Sequence, residues 1–301
     1  MNNIYICNTC DDCIRRIDEA SLSIENISLS SNGRPIGPRS IEVRGGLGVV
    51  ANSYDNSLSF LDLRSLKEID REYIGPHPND VKLYEKYACV ACNETNSIIF
   101  YNIENKNIEF EVPSGNSPDS IVLDSTRRVL LSANLLENTV SLINLDNKDI
   151  DKKVKVGEYP IKIIMSKNGE YFYLCESYLG SDKEGFIGIY SMKNLVCISR
   201  IKVDSMPIDV FEDNEKLYVA NFGSESVSVV NIREGKVVRN INVGGMPNRV
   251  IKRKKEIFIS DYLNGKLHVI SDDENKRKII AIGNEPNAMI MVNSNHQIIK
   301  W

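Results

Sequence analysis

Three cysteines near the start of the chain form a dense group of side chains that could bind a metal. Cys7, Cys10 and Cys13 are spaced as Cys-x-x-Cys-x-x-Cys. Thiolates at such spacing bind zinc or iron–sulfur clusters. Two or three thiolates fall short of the four ligands of a closed structural zinc site. The pattern therefore favours free thiols, with a metal site or a redox pair as the alternative.

No recognised catalytic motif accompanies these cysteines. The sequence contains no GxSxG, HExxH, Walker or dinucleotide-binding motif. His77 lies between two prolines in a predicted loop. A catalytic histidine needs a partner group within hydrogen-bond reach, and the sequence identifies none for it.

Composition indicates a folded protein without a strong electrostatic preference for its partners. The 301 residues are 42% hydrophobic and 26% charged, with a formal net charge of −4. That charge gives no general attraction for nucleic acid or an anionic membrane, so neither is an expected partner. No apolar stretch approaches the roughly 20 residues needed to span a bilayer. The first residues resemble no secretory signal, so we expect a cytoplasmic protein with reduced thiols.

One sequence unit of about 40 residues recurs seven times and fills the chain. Each unit opens with a proline, often three residues after a glycine. The prolines of this series are Pro38, Pro78, Pro118, Pro160, Pro207, Pro247 and Pro286. Each unit also has an apolar run that ends in a small residue and a polar one. These polar residues are aligned as Asn8, Asn52, Asn93, Asn134, Glu176, Asn221 and Asp261.

The apolar runs alternate with a period of two, which is typical of β-strands. "SLSFLDL" (57–63) and "SVSVVNI" (226–232) show this clearly. Each unit therefore predicts four short strands: strand a after the proline, strand b up to the polar residue, strand c after a turn, and strand d. Four antiparallel strands in each period of about 40 residues is the pattern of a propeller blade.

The sequence thus predicts an all-β fold: a seven-bladed β-propeller with four antiparallel strands per blade, in a single domain of residues 1–301. The N- and C-termini should share one blade, which leaves no open sheet edge at the seam. After Pro286 the C-terminus would supply strand a of that blade. Strand b of the blade would be residues 3–7, with residues 296–301 as the alternative, and we prefer 3–7 because of its Cys-Asn ending.

The segments "LYVANFGSESVSVVNI" (217–232) and "LSANLLENTVSLINL" (131–145) resemble the YVTN repeat of YncE-like and surface-layer propellers. The resemblance covers essentially the whole chain. It implies the propeller fold but little about activity, because the family includes binding proteins, cell-surface modules and domains fused to redox enzymes. Function has to be argued from a site.

Antiparallel connectivity places the prolines and the polar strand ends on one face of the predicted propeller, near its channel. Such a concave mouth is a usual place for a ligand. The second residue after each proline varies from blade to blade, so these positions are the first candidates, with ion pairing between blades as the alternative. The candidate ligand-binding residues around the mouth are Arg39, His77, Asp80, Asp119, Lys162, Glu176, Asp209, Arg249 and Asp261.

The polar residues at the strand b ends have a structural alternative, because Asn and Asp commonly bond the backbone of a following turn. Glu176 is also followed by an unusually long turn, "SYLGSDKEGF" (177–186), which is either a recognition loop or an indifferent insertion. Cys7, Cys92 and Cys175 align with alanines of other units, which predicts small buried residues.

Three hypotheses follow. The leading one is a non-catalytic propeller that binds a protein or a small ligand at the channel mouth and has no cofactor. The second is a lactonase-like hydrolase that holds a divalent cation on Glu176, Asp209 and Asp261, with Asp80 as a further ligand. The third is a thiol or metal-cluster protein built on the three N-terminal cysteines. The sequence does not specify the oligomeric state.

Overall fold

The structure is a computed structural model that describes residues 2–29, 33–180 and 183–293. These residues form seven four-stranded antiparallel sheets, and in six of them the order of strands follows the chain. The predicted fold class, an all-β seven-bladed β-propeller, is confirmed. The two helical elements described are short 3-10 turns, Thr9–Asp11 and Phe222–Ser224.

Sheets are numbered from the one that contains the N-terminus, and the strands of each are named in order from strand a to strand d. Sheet 1 combines β28 (Pro286–Val292) with β1 (Asn3–Asn8), β2 (Cys13–Asp18) and β3 (Ile24–Ser28). Sheet 2 contains β4 (Pro38–Arg44), β5 (Leu47–Asn52), β6 (Ser57–Asp62) and β7 (Lys67–Tyr73). Sheet 3 contains β8 (Pro78–Tyr84), β9 (Tyr87–Cys92), β10 (Ser97–Asn102) and β11 (Asn107–Pro113).

The other four sheets follow in the same order. Sheet 4 contains β12 (Pro118–Asp124), β13 (Val129–Asn134), β14 (Thr139–Asn144) and β15 (Asp149–Lys155). Sheet 5 contains β16 (Pro160–Met165), β17 (Tyr171–Glu176), β18 (Glu184–Ser191) and β19 (Cys197–Ser205). Sheet 6 contains β20 (Pro207–Asp213), β21 (Lys216–Asn221), β22 (Ser226–Asn231) and β23 (Lys236–Asn242). Sheet 7 contains β24 (Pro247–Arg253), β25 (Glu256–Asp261), β26 (Lys266–Ser271) and β27 (Arg277–Ala281).

Both chain ends contribute to sheet 1, as predicted. Strand β1 pairs with β28 on one side and with β2 on the other, and Cys7 lies opposite Ala288. Strand b of this sheet is therefore Asn3–Asn8, which confirms the preferred segment. The alternative, residues 296–301, lies outside the described residues.

The strand a prolines sit where a missing N–H costs nothing, since each is the first residue of its strand. The residue before the proline has a positive φ in six of the seven sheets, a conformation that most side chains avoid. These six residues are Gly37, His77, Ser117, Tyr159, Met206 and Glu285. The chain therefore turns sharply just before it enters each of these strands.

The outer strands d carry a shared irregularity. In sheets 2 to 6 the pairing of strand c with strand d is interrupted by a β-bulge at the same place in the strand. Ile69 in β7 and Ile198 in β19 are the extra residues of two of these bulges. Bulges twist an edge strand away from regular pairing and so discourage pairing with another chain.

The chain divides into two compact units. The first contains the described residues up to Asp119 and those from Ile282 onward; the second is Ser120–Ala281. Within the first unit, sheets 1 and 2 share a core that includes Tyr5 and Ile41, and sheets 2 and 3 share another that includes Val49. Within the second unit, cores join sheet 4 to 5, 5 to 6 and 6 to 7. That the whole chain is one domain stays a prediction.

Candidate functional site

The residues two places after the strand a prolines occupy equivalent positions. Each pairs with the small residue near the end of strand b, and a bulge separates this pair from the proline's own pair. The pairs are Ser40 with Ala51, Asp80 with Ala91, Lys162 with Cys175, Asp209 with Ala220, Arg249 with Ser260, and Ala288 with Cys7. The alignment of these six positions from the repeat is therefore correct.

Several of these side chains connect the strand a of one sheet to that of the next. Ser40 Oγ donates to Asp80 Oδ1 at 2.8 Å. In the second unit, Asp209 Oδ2 accepts the backbone N–H of Val250 at 2.9 Å. Hydrogen bonds buried between neighbouring strands stabilise the packing of the sheets. Part of the variable set therefore has a structural role through hydrogen bonds; ion pairing between blades, the alternative noted from the sequence, stays a prediction.

Asp80 belongs to a buried charge cluster in the first unit that the sequence did not reveal. Its carboxylate accepts Lys82 Nζ at 3.1 Å, and the same ammonium lies 3.4 Å from Glu42 Oε2. Burial alone would lower the pKa of Lys82, but the two carboxylates raise it well above its usual range. The Lys82 ammonium is thus already paired with both carboxylates, those of Asp80 and Glu42.

Arg39 and Asp119 come together at the other candidate position of this unit. Asp119 Oδ1 accepts Asn79 Nδ2 at 2.8 Å and lies 3.9 Å from Arg39 Nη2. Three strands a therefore contribute to this group, from sheets 2, 3 and 4. The Arg39 side chain stays 34% exposed.

His77 lies in the turn before strand a of sheet 3 and stabilises it through its backbone. Its φ is +51° and its backbone N–H donates to Asn56 Oδ1 at 2.9 Å. Its Nδ1 is buried and lacks a hydrogen-bond partner among the described residues. The described geometry gives this histidine no acid–base partner at that nitrogen.

In the second unit, Lys162, Asp209 and Arg249 form an electrostatic cluster. Asp209 is only 5% exposed, and burial raises the pKa of its carboxyl although both cations oppose that shift. Arg249 Nη1 donates to the backbone oxygen and side-chain oxygen of Asn248 at 2.7 and 3.0 Å. Lys162 is partly exposed, and within the described part of the chain its ammonium has no hydrogen bond or ion pair. This ammonium influences a buried acid electrostatically without forming an ion pair with it, and is open to a further partner.

Glu176 is fully buried, and its carboxylate is bound by two side chains of its own sheet and by the loop before strand β16. Its carboxylate accepts Tyr190 Oη at 2.7 Å, Arg200 Nε at 2.7 Å and the backbone N–H of Gly157 at 3.0 Å. A side chain at Gly188 would collide with the carboxylate, because a Cβ there would lie 2.8 Å from Oε1. These contacts leave Glu176 with a structural role.

The long turn after Glu176 contains two residues outside the described ranges. Of the described ones, Tyr178 has its hydroxyl 3.3 Å from Arg200 Nη2. The Arg200 guanidinium also lies over the Phe186 ring, 4.6 Å from its centroid. The start and end of the turn thus pack on the same arginine that binds Glu176.

Asp261 is likewise buried and occupied. It accepts Asn264 Nδ2 at 2.7 Å and the backbone N–H of Met246 at 3.1 Å, and these bonds lower its pKa despite burial. Nearby His268 is 3% exposed, and burial lowers the pKa of its imidazole. His268 Nε2 lies 3.5 Å from Asp261 Oδ2, and neither ring nitrogen makes a hydrogen bond within the described residues.

One aligned position is wrong. Cys92, not Asn93, occupies the strand b end of sheet 3, because Cys92 pairs with Pro78 and with Ser97 as Asn52 pairs with Pro38 and with Ser57. The error came from matching Cys92-Asn93 to Ala51-Asn52. Asn96 would have revealed it: like Asn56 it directly precedes strand c, and counting back four residues from each gives Cys92 and Asn52.

The three N-terminal cysteines occupy different environments. Cys7 is fully buried in β1, Cys13 is 6% exposed at the start of β2, and Cys10 is exposed in the turn between them. Desolvation and a hydrogen bond to Glu285 raise the pKa of Cys10 to about 11, which disfavours the thiolate. Across the described ranges, no three His, Cys, Asp or Glu side chains are placed to hold one metal ion. This applies equally to the carboxylates of the hydrolase hypothesis.

Comparison with known proteins supports the fold and goes no further. No protein-family model matches the chain, and no curated protein sequence matches it. A solved chain of Kuenenia stuttgartiensis hydrazine synthase superposes with a TM-score of 0.76 at 14% identity, covering 91% of this chain and 98% of that one. Identity this low supports a shared fold alone. The resemblance to YncE-like propellers stays a prediction.

No helix among the described residues is both long and apolar enough to cross a membrane. The expected cytoplasmic location stays a prediction.

Proposed function

We propose that this protein is a non-catalytic propeller that binds a small ligand with an acidic group at the cluster of Lys162, Asp209 and Arg249. The observation that carries the proposal is the Lys162 ammonium, which is partly exposed and has no partner within the described residues. A carboxylate or phosphate oxygen is the natural partner for such a cation.

Charge balance in the cluster supports an anionic ligand. Two cations act on one carboxylate, so the group carries a net positive charge even with Asp209 ionised. Arg249 uses only Nη1 in its described hydrogen bonds, and a guanidinium has five N–H donors in a fork that suits an oxyanion. The backbone N–H of Val250 fixes the position of the Asp209 carboxylate, and repulsion from this carboxylate would restrict where an acidic group can bind.

The other two hypotheses lack a comparable observation. Glu176 and Asp261, two proposed cation ligands, are bound by side chains and backbone of their own sheets. Desolvation and the neighbouring Glu285 raise the pKa of Cys10, which keeps this thiol protonated. The carboxylate hydrolase and the thiol protein therefore have less support than the binding protein.

The test measures binding of acetate, succinate and inorganic phosphate by calorimetric titration. We expect at least one of these acids to bind, and Lys162→Ala to weaken it about 10-fold or more, since a hydrogen bond to a charged group contributes about 1.5–3 kcal/mol. The matched control is Lys216→Ala, which removes an exposed lysine at the opposite end of the strands of sheet 6. The proposal is wrong if none of the three acids binds, or if both variants lower affinity equally.

A further inference from the structure

A cavity of about 320 Å³ lies between sheets 2 and 3, away from the strand a prolines. Its lining comes from strands b, c and d of sheet 2 and from strand c of sheet 3 with the turn that follows it, and is mostly apolar. The lining residues are Leu47, Phe60, Ile69, Asp70, Tyr101, Ile103 and Lys106. All of them belong to the first unit. The volume is about twice that of the roughly 150 Å³ apolar cavity that admits benzene.

Two aromatic rings form the inner wall. Phe60 and Tyr101 are 5% and 2% exposed, and their ring centroids are 5.9 Å apart at a tilt of 38°. Ile69 lies at the mouth, where its side chain is 61% exposed because the β-bulge turns it outward.

The Tyr101 hydroxyl is buried and has no hydrogen-bond partner among the described residues. Burial, with smaller effects from Glu72 and Asp70, raises the pKa of this phenol to about 12, so the hydroxyl keeps its proton. In sheet 5 the tyrosine at the same register, Tyr190, donates to Glu176 at 2.7 Å. A buried donor without an acceptor is costly, so a guest that supplies an acceptor gains affinity.

The two charged residues of the lining, Asp70 and Lys106, balance each other. Asp70 Oδ2 lies 2.5 Å from Lys106 Nζ, and Glu72, outside the lining, lies 4.0 Å from the same ammonium. The lining therefore carries no net charge of its own, and the nearby Glu72 disfavours an anionic guest.

We infer that this cavity is a binding site for a small uncharged aromatic molecule with one hydrogen-bond acceptor, which receives the Tyr101 hydroxyl. The aromatic part occupies the space between Phe60, Tyr101 and Ile69. The site shares no residue with the acid-binding cluster, which belongs to the other unit.

The test uses two probes of similar shape: acetophenone, which carries a carbonyl acceptor, and ethylbenzene, which does not. Their dissociation constants are measured by ligand-observed NMR titration. We expect acetophenone to bind about fivefold more tightly, in the range of one net hydrogen bond. Tyr101→Phe should remove this preference while ethylbenzene still binds.

Ile69→Trp should fill the mouth and weaken both probes at least about 10-fold, whereas Ile198→Trp should change nothing. The two isoleucines are matched, because each is an exposed bulge residue of an outer strand, 61% and 56% exposed. The inference is wrong if neither probe binds the unmodified protein or if the two tryptophan variants behave alike. It is also wrong if the protein dimerises, Ile69→Trp abolishes the dimer and no probe binds, since a second copy would then occupy the groove.

Discussion

At the scale of single residues, the polar side chain at the end of strand b links strand b to strand c beside the turn that joins them. In sheet 2, Asn52 donates to Ser57 and Ser59 on strand c at 3.0 and 2.7 Å. Asn134 and Asn221 make the same pair of bonds in sheets 4 and 6. Repetition of one buried hydrogen-bond device explains why the repeat favours Asn there and argues against a ligand role.

Sheet 5 uses a different solution at this position. Glycine at 188 occupies the register of Ser59, so Glu176 extends through the space that a serine would fill and reaches Tyr190 and Arg200. We predict that Glu176→Asn destabilises the protein by about 2 kcal/mol, because Asn finds no hydroxyl at Gly188 and leaves a buried Tyr190 hydroxyl unpaired. Urea unfolding monitored by circular dichroism measures the change.

The control is Glu184→Gln, which removes the acid of an exposed ion pair with Lys202 in the same strand pair. This variant should unfold at the same urea concentration as the unmodified protein, since exposed pairs contribute little. If Glu176→Asn left the protein as stable as the parent, the position would tolerate the repeat residue and the charge network would be unimportant.

For the polar residues at the strand b ends, the sequence predicts their position in the repeat better than it predicts their hydrogen-bond partners. Pro38 and its equivalents could be placed because a residue without an N–H suits only the start of a strand. The bond from Arg200 to Glu176 spans 24 residues and occurs in one sheet, so no repetition marks it. The one sequence signal was a glycine at 188, where three other units have Ser59, Ser141 and Ser228. The Lys82 cluster had no signal of this kind.

At the scale of elements, the b-to-c turn of one sheet positions the loop that enters the next sheet. The residue before strand c has a positive φ at Asn56, Asn96 and Asn138. Each of these side chains accepts the N–H of the residue before the next strand a proline, at 2.9, 2.7 and 2.8 Å. Asparagine suits both demands, since it tolerates this backbone region and carries an acceptor.

We predict that substitutions at Asn138, whose φ is +57°, separate the contribution of the hydrogen bond to stability from that of the backbone conformation. Asn138→Gly loses only the hydrogen bond to Tyr159 and should cost about 1 kcal/mol. Asn138→Ala keeps a Cβ at this left-handed φ but loses the polar side chain that favours the conformation, and should cost about 2 kcal/mol. Urea midpoints at constant slope give both values.

Asn214→Gly is the control, because Asn214 has a φ of +55° but bonds only to the adjacent Asp213 in an exposed turn. Its stability should be unchanged or slightly higher. Equal losses in the Gly and Ala variants at position 138 would contradict a contribution from backbone strain.

At the scale of the whole molecule, the repeat predicts one domain although the chain divides into two compact units. Within each unit, neighbouring sheets share buried cores, so a sheet that unfolds would expose apolar faces of the next. The boundary after Asp119 falls inside strand β12 rather than in a linker. A domain boundary usually lies in an exposed, flexible segment that few contacts cross.

We therefore predict a single cooperative unfolding transition. Buried thiols report on each unit separately, since Cys92 lies in the first and Cys175 in the second, and both are fully buried. Pulse labelling with N-ethylmaleimide at increasing urea, followed by peptide mass spectrometry, should give the same midpoint for both thiols. Cys197, which is exposed, should label without urea and confirms that the reagent is active. Midpoints that differ by more than about 0.5 M, or roughly 1 kcal/mol at a slope of about 2 kcal/mol per molar, would show two domains that unfold independently.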